Sequence, residues 1–167
     1  MVFIGVIAEH PKYEHLKKII QKKVNNNEII LININSKSIE NLKNVKFDAL
    51  VLMDSTEELN KKNELLKEVC KNIKYLIINS DIELKNTIFT TIKSNILTFG
   101  LNHKSTVTFS SITDEMLLVS VQREFEKPSN KLIEVGEYNI KINQIERNKL
   151  HEFLAGFIIK KLFLEEK

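Results

Sequence analysis

Short apolar runs alternate with amphipathic runs through the first hundred residues. Val2-Phe3-Ile4-Gly5-Val6-Ile7 reads as a strand buried on both faces. Pro11 to Lys23 places Leu16, Ile19 and Ile20 on one side, the spacing of a helix. Proline suits a helix's first turn, where its missing N–H removes no bond. Ile29 to Ile34 predicts a second strand, followed by a short helix near Ser38 to Leu42. Phe47 to Met53 predicts a third strand, and Thr56 to Asn72 a long helix with Leu59, Leu65, Leu66 and Val69 facing inward. Tyr75 to Ile78 and Ile96 to Phe99 are the fourth and fifth strands, separated by a helix over Asp81 to Lys93 that Asp81 can cap.

Strands and helices alternating at this spacing imply βαβ units, a parallel sheet and right-handed crossovers that place helices on both faces. The expected class is α/β, a three-layer, doubly wound, mostly parallel sheet of P-loop or Rossmann-like type. Such sheets bind ligands beyond the carboxyl ends of their strands. The loops after Ile7, Met53 and Ile78 therefore carry the candidate chemistry.

The pattern changes after Gly100. Val107, Phe109 and Ser111 alternate with Thr106, Thr108 and Ser110, and Met116 to Val121 is again strand-like. A polar stretch from Arg123 to Asn130 contains Pro128. Leu132 to Val135 and Tyr138 to Ile142 follow, with Gly136-Glu137 as the turn between them. These segments predict antiparallel strands added at one sheet edge. Glu146 to Glu165 closes the chain as a helix with Leu150, Phe153, Leu154, Phe157, Ile158 and Leu162 inward. Residues 1–167 thus form a single domain: a parallel core over 1–100, edge strands over 101–145 and a closing helix over 146–167. No linker, repeat or low-complexity tract interrupts it.

Composition narrows the picture. A chain of 167 residues, 43% hydrophobic and 28% charged, can bury a real core. The abundance of Lys, Ile and Asn reads as coding bias. Net charge is +3 with mixed signs along the chain, so Lys17-Lys18 and Lys22-Lys23 read as a solvated helix face. Trp is absent, and there is no concentrated basic stripe or nucleic-acid motif; no nucleic-acid partner is expected. The single cysteine, Cys70, excludes an internal disulfide and a Cys-based zinc site. Its place beside Leu66 and Val69 marks it as a buried structural thiol. The first apolar segment is too short for a signal sequence, and no run approaches membrane-spanning length. A cytoplasmic protein without membrane contact is expected.

The succession of a parallel βα core, an antiparallel appendix and a closing helix resembles the central ATPase domain of the Mur-type peptide ligases, bacterial-type enzymes that build cell-wall peptides. Several segments carry the likeness, in order. Ile4-Gly5-Val6 leads into the first loop as that family's first strand leads into its phosphate loop. Phe47-Asp48-Ala49-Leu50-Val51-Leu52-Met53-Asp54 is similar to the strand before the magnesium-binding carboxylate. Tyr75-Leu76-Ile77-Ile78-Asn79-Ser80-Asp81 looks like its strand followed by Asn-Ala-Asp. Ile96-Leu97-Thr98-Phe99-Gly100-Leu101, with Val107 to Ile112 after it, resembles the turn into its edge strands. Phe153-Leu154-Ala155-Gly156 is similar to its closing helix.

The departures fall on the chemistry. The family's loop reads G-T-N-G-K-[ST]. Here Ala8 and Pro11 stand at its glycines, Lys12 at its lysine and Tyr13 at its hydroxyl residue. A phosphate loop aims consecutive backbone N–H groups at phosphate oxygens, with Lys adding charge and Ser/Thr binding Mg²⁺. Pro11 removes a donor, Ala8 does not readily adopt glycine's backbone conformations, Glu9 adds negative charge and Tyr13 replaces a small hydroxyl with a phenol. Asp54, Glu57 and Glu58 follow the third strand, but Leu59 stands where the family's next histidine falls. The ligases' separate substrate-binding and C-terminal domains are not in this sequence. The resemblance therefore implies a fold retained and ATP chemistry lost, with no catalytic residue, metal or cofactor. What remains is a ligand-binding or protein-interaction module. Its candidate crevice comprises Glu9, His10, Lys12, Asp54, Glu57, Asn79, Asp81 and His103. A small ligand, a protein partner or a second copy forming a homodimer are the expected partners.

Two other readings stand beside this one. A phosphoacceptor receiver would place acids after the first strand, an Asp after the third, Ser/Thr after the fourth and Lys after the fifth; Glu9, Asp54, Ser80 and Lys104 fall near those places. A small α/β enzyme could gather His10, His15 and His103 with Asp54 or Glu57. His151, in the last helix, reads as a surface or boundary residue.

Overall fold

The computed structural model describes residues 1–21, 29–35, 39–42, 44–55, 61, 63–83, 92–141 and 147–164. Its strands are β1 (Val2–Ile7), β2 (Ile29–Ile34), β3 (Ala49–Leu52), β4 (Tyr75–Asn79), β5 (Asn95–Phe99), β6 (Val107–Ile112), β7 (Met116–Val121), β8 (Phe125–Glu126), β9 (Leu132–Ile133) and β10 (Gly136–Lys141). Its α-helices are α1 (His10–Gln21), α2 (Asn63–Cys70) and α3 (Leu150–Phe163), with 3₁₀ turns at Ile39–Leu42 and Arg147–Lys149. Eight strands form one mixed, mostly parallel sheet in the order β10-β7-β6-β5-β4-β3-β1-β2. The six strands from β2 to β6 run parallel, and β7 is antiparallel to both β6 and β10.

Period-2 alternation divides the strand side chains between two cores. Ile4, Val6, Ala49, Val51, Tyr75, Ile77, Leu97 and Phe99 face α1 and α3. Leu50, Leu52, Leu76 and Ile78 face α2 and the first 3₁₀ turn, through Leu66, Val69, Cys70 and Ile39. With both faces covered, the parallel strands need no polar side, which is why their sequences are continuous apolar runs.

Helix α3 is more buried than an amphipathic pattern predicts. Besides the expected Leu154, Phe157, Ile158 and Leu162, the fold buries Glu152, Ala155, Gly156 and Ile159. The helix packs against both the sheet and α1, so little of it meets water. Gly156 sits at the α1 crossing, where an added Cβ would lie 2.7 Å from Ile19 Cγ2. The C-terminal end of α3 is tied down by Lys127, a buried lysine whose Nζ donates to the Leu164 carbonyl at 3.0 Å, a favourable cation at a helix C-terminus.

The edge strands depart from the expected arrangement in one place. Leu132 to Val135 and Tyr138 to Ile142 do not form a hairpin around Gly136-Glu137. Gly136 and Glu137 belong to β10, which pairs with β7, while Leu132–Ile133 pairs with Phe125–Glu126 in a separate two-stranded sheet. The turn falls instead at Pro128-Ser129-Asn130, where Asn130 takes φ 61°, a conformation asparagine tolerates. Burial explains the choice: Phe125 and Ile133 both enter the core below α3, and Tyr75 Oη donates to the Glu126 carbonyl at 2.9 Å. Helix α1 begins at His10 rather than Pro11. The expected helix over Asp81 to Lys93 lies largely outside the described residues, as do Thr56–Asn60 of the helix before it. No described helix is long and apolar enough to cross a membrane.

Candidate functional site

The loop between β1 and α1 is only Ala8 and Glu9, because His10 already starts the helix. The Tyr13 N–H closes the first turn on the Glu9 carbonyl at 3.0 Å. Four of the six residues aligned with a phosphate loop are therefore helical, and no extended cradle of N–H groups remains.

One backbone donor of this turn is occupied from within. The Glu9 N–H donates to Asp54 Oδ2 at 2.9 Å, and Lys12 Nζ pairs with Asp54 Oδ1. Asp54 reaches this place because β3 lies beside β1 in the sheet, with the Met53 N–H bonded to the Ile7 carbonyl at 3.0 Å. Burial disfavours the Lys12 ammonium, but the Asp54 carboxylate, then Glu9 and Glu152, outweigh it and raise its pKa above the ordinary lysine value. Lys12 thus answers three carboxylates, and a polyphosphate approaching it would meet their repulsion.

Tyr13 does not stand at the mouth of the loop. Its ring is buried, and its hydroxyl donates to the Leu31 carbonyl on β2 at 2.9 Å. Nothing places it to ligate a metal. His15, further along α1, has Nδ1 at 3.7 Å from the buried Glu152 carboxylate. His10 and His103 are exposed, and His103 lies with Lys104 in the loop between β5 and β6. Among the described residues no three His, Cys, Asp or Glu side chains gather as a metal-ligand set. Glu57 lies outside the described residues. Cys70 is buried, which pushes its thiol up to about 12, the behaviour of a structural cysteine.

Asn79 and Asp81 belong to a second polar cluster, at the ends of β4 and β5. Asn79 is buried; its Nδ2 donates to the Met53 carbonyl at 3.1 Å, and its Oδ1 accepts the Asp81 N–H at 3.0 Å. Ser80 Oγ lies 2.6 Å from Ser105 Oγ and accepts from Asn102 Nδ2 at 2.9 Å. Asp81 accepts from the Leu101 N–H and from Asn102 Nδ2, each at 2.6 Å, and from His151 Nε2 at 2.9 Å. Burial pulls the Asp81 carboxyl upward, yet the Leu101, His151 and Asn102 donors together hold it below the usual aspartate value.

The candidate crevice is thus two halves. Glu9, Lys12 and Asp54 close the β1–β3 half on themselves. Asn79 and Asp81 organise the β4–β5 half. His10 and His103 flank these clusters without joining either hydrogen-bond network among the described residues. Glu152, Asn102 and Ser105 were not singled out by sequence, and neither His151, read as a surface or boundary residue, nor Gly100 was expected at the site. Glu152 left one trace: a carboxylate inside an almost wholly apolar helix needs a partner. His151 left none, since its partner is 70 positions away. No protein-family model matches the chain, and no curated protein is significantly similar to it.

Proposed function

We propose that this chain is a non-catalytic protein of the Mur-ligase middle-domain type that has lost ATP binding and serves as a ligand-binding or protein-interaction module. The observation that carries the reading is the Asp54 carboxylate seated on the Glu9 N–H and Lys12. An internal anion holds the position a phosphate would need. The parallel core, the β6–β7–β10 appendix and the closing helix α3 support the relationship to that domain. The pathway is set by the ligand or partner that the carboxyl edge receives, and a second copy of the chain is one candidate partner.

Thermal denaturation of the full chain with and without Mg-ATP tests the loss of nucleotide binding. The midpoint is expected to stay unchanged at millimolar Mg-ATP, since binding would raise it by mass action. A rise that disappears in Lys12→Ala would overturn the reading. The phosphoacceptor reading draws less support, because both Asp54 oxygens are engaged and Ser80 Oγ is bonded to Ser105 and Asn102. Stable labelling of Asp54 by acetyl phosphate would favour it instead.

A further inference from the structure

The β4–β5 half of the crevice is built around one side-chain pair. Three donors converge on Asp81: the Leu101 N–H and His151 Nε2 on Oδ2, and Asn102 Nδ2 on Oδ1. Gly100 makes the convergence possible. A Cβ there would strike Ser80 Oγ and stand 2.9 Å from each Asp81 oxygen. The carboxylate is therefore held from the β5–β6 loop and from α3.

A fixed carboxylate dictates the state of its imidazole partner. An ionised carboxylate only accepts, so His151 Nε2 must carry the proton that it donates. In the neutral ring Nδ1 is then a bare lone pair. Among the described residues the ring makes no second hydrogen bond, and its side chain is 32% exposed. Leu101, bonded through its N–H to the same carboxylate oxygen, is 46% exposed. An acceptor held in one orientation thus sits near the exposed Leu101 at the carboxyl edge of the sheet, where α/β folds receive ligands.

We propose that Asp81 and His151 form a carboxylate–imidazole dyad whose open Nδ1 is the hydrogen-bond acceptor for a small ligand presenting an O–H or N–H group beside Leu101. The proposal rests on the ligand-module reading and names the chemistry that its open half would recognise. Asp81 acts as a positioning residue: it sets the tautomer and aims the ring.

Long-range ¹H–¹⁵N NMR of the full chain at about pH 9, where an imidazole is neutral, reads both ring nitrogens of His151. Nε2 is expected to be protonated and Nδ1 bare. Phenol, an O–H donor with an apolar body, is expected to shift the Nδ1 resonance saturably. Anisole, its methyl ether, lacks the donor and is expected to leave it in place. Asp81→Asn is expected to mix the tautomers and abolish the phenol response. A proton on Nδ1, no response to phenol, or equal responses to phenol and anisole would overturn the proposal. These outcomes are read on the unmodified protein, so they stand even if the variant fails to fold. They leave the nucleotide test untouched, because neither Lys12 nor Asp54 is probed.

Discussion

Lys12 and Asp54 meet across 42 residues of sequence, at the first strand-to-helix turn. Lys12 lies in the first turn of α1, and Asp54 follows β3. Adjacent parallel strands bring the two loops together.

The pair is coupled through the backbone as well as through charge. Asp54→Ala leaves the Glu9 N–H and the Lys12 ammonium without their partner, and is expected to cost about 1–2 kcal/mol. Lys12→Ala is expected to cost less, under about 1 kcal/mol, because the lysine side chain is 41% exposed and solvent screens it. Urea denaturation of both variants and the double variant measures the coupling directly. Strict additivity of the two losses would show that the pair does not act as a unit.

Tyr13 illustrates how one residue changes meaning between sequence and structure. The resemblance sets it where a magnesium-binding hydroxyl would stand; in the fold its hydroxyl donates to Leu31 on the edge strand β2. Tyr13→Phe keeps the buried ring and removes only the hydrogen bond. A loss of about 1 kcal/mol is expected, with faster amide exchange along Ile29–Ile34. Unchanged stability and exchange would show that the hydroxyl has no such role.

The α1–α3 crossing is set by a missing side chain. Gly156→Val forces atoms into the space held by Ile19 Cγ2, 2.7 Å from the first added carbon. Overpacking of this kind costs about 1–3 kcal/mol. Gly156→Val with Ile19→Ala is expected to recover part of the loss. A neutral single variant would contradict the close packing described for these helices.

Acid sensitivity follows from Asp81. Against the upward pull of burial, Leu101, His151 and Asn102 hold its folded pKa below the ordinary value of 3.8. Between the two values the unfolded chain binds more protons than the folded one, so stability rises with pH. The contribution is complete above the ordinary value and is lost as pH falls through the lowered one. Asp81→Asn is therefore expected to flatten the dependence of stability on pH below about pH 4, measured by chemical denaturation across that range. An unchanged slope would assign the acid sensitivity to other carboxylates.

The layered α/β class was legible because burial on both faces writes continuous apolar runs, as in Ala49–Leu52 and in residues 75–78 of β4. The hairpin around Gly136-Glu137 was misread for a local reason: a Gly-Glu pair between apolar segments looks like a turn, whereas the pairing is decided by distant contacts of Phe125 and Ile133 with the core. Of the candidate residues, the sequence places Glu9, Asp54, Asn79 and Asp81 at or just past strand ends and Lys12 at a helix start, and the fold has them there. Their partners were not. That Asp54 reaches the Glu9 N–H and Lys12, that Tyr13 turns inward and that His151 reaches Asp81 depend on strand order and helix packing, which no local pattern encodes.

Calorimetric titration of Mg-ATP into the full-length chain tests the central claim most directly. With Asp54 on the Glu9 N–H and Lys12, no saturable heat is expected at millimolar nucleotide. One-site binding of Mg-ATP to the unmodified protein, lost in Lys12→Ala, would contradict it.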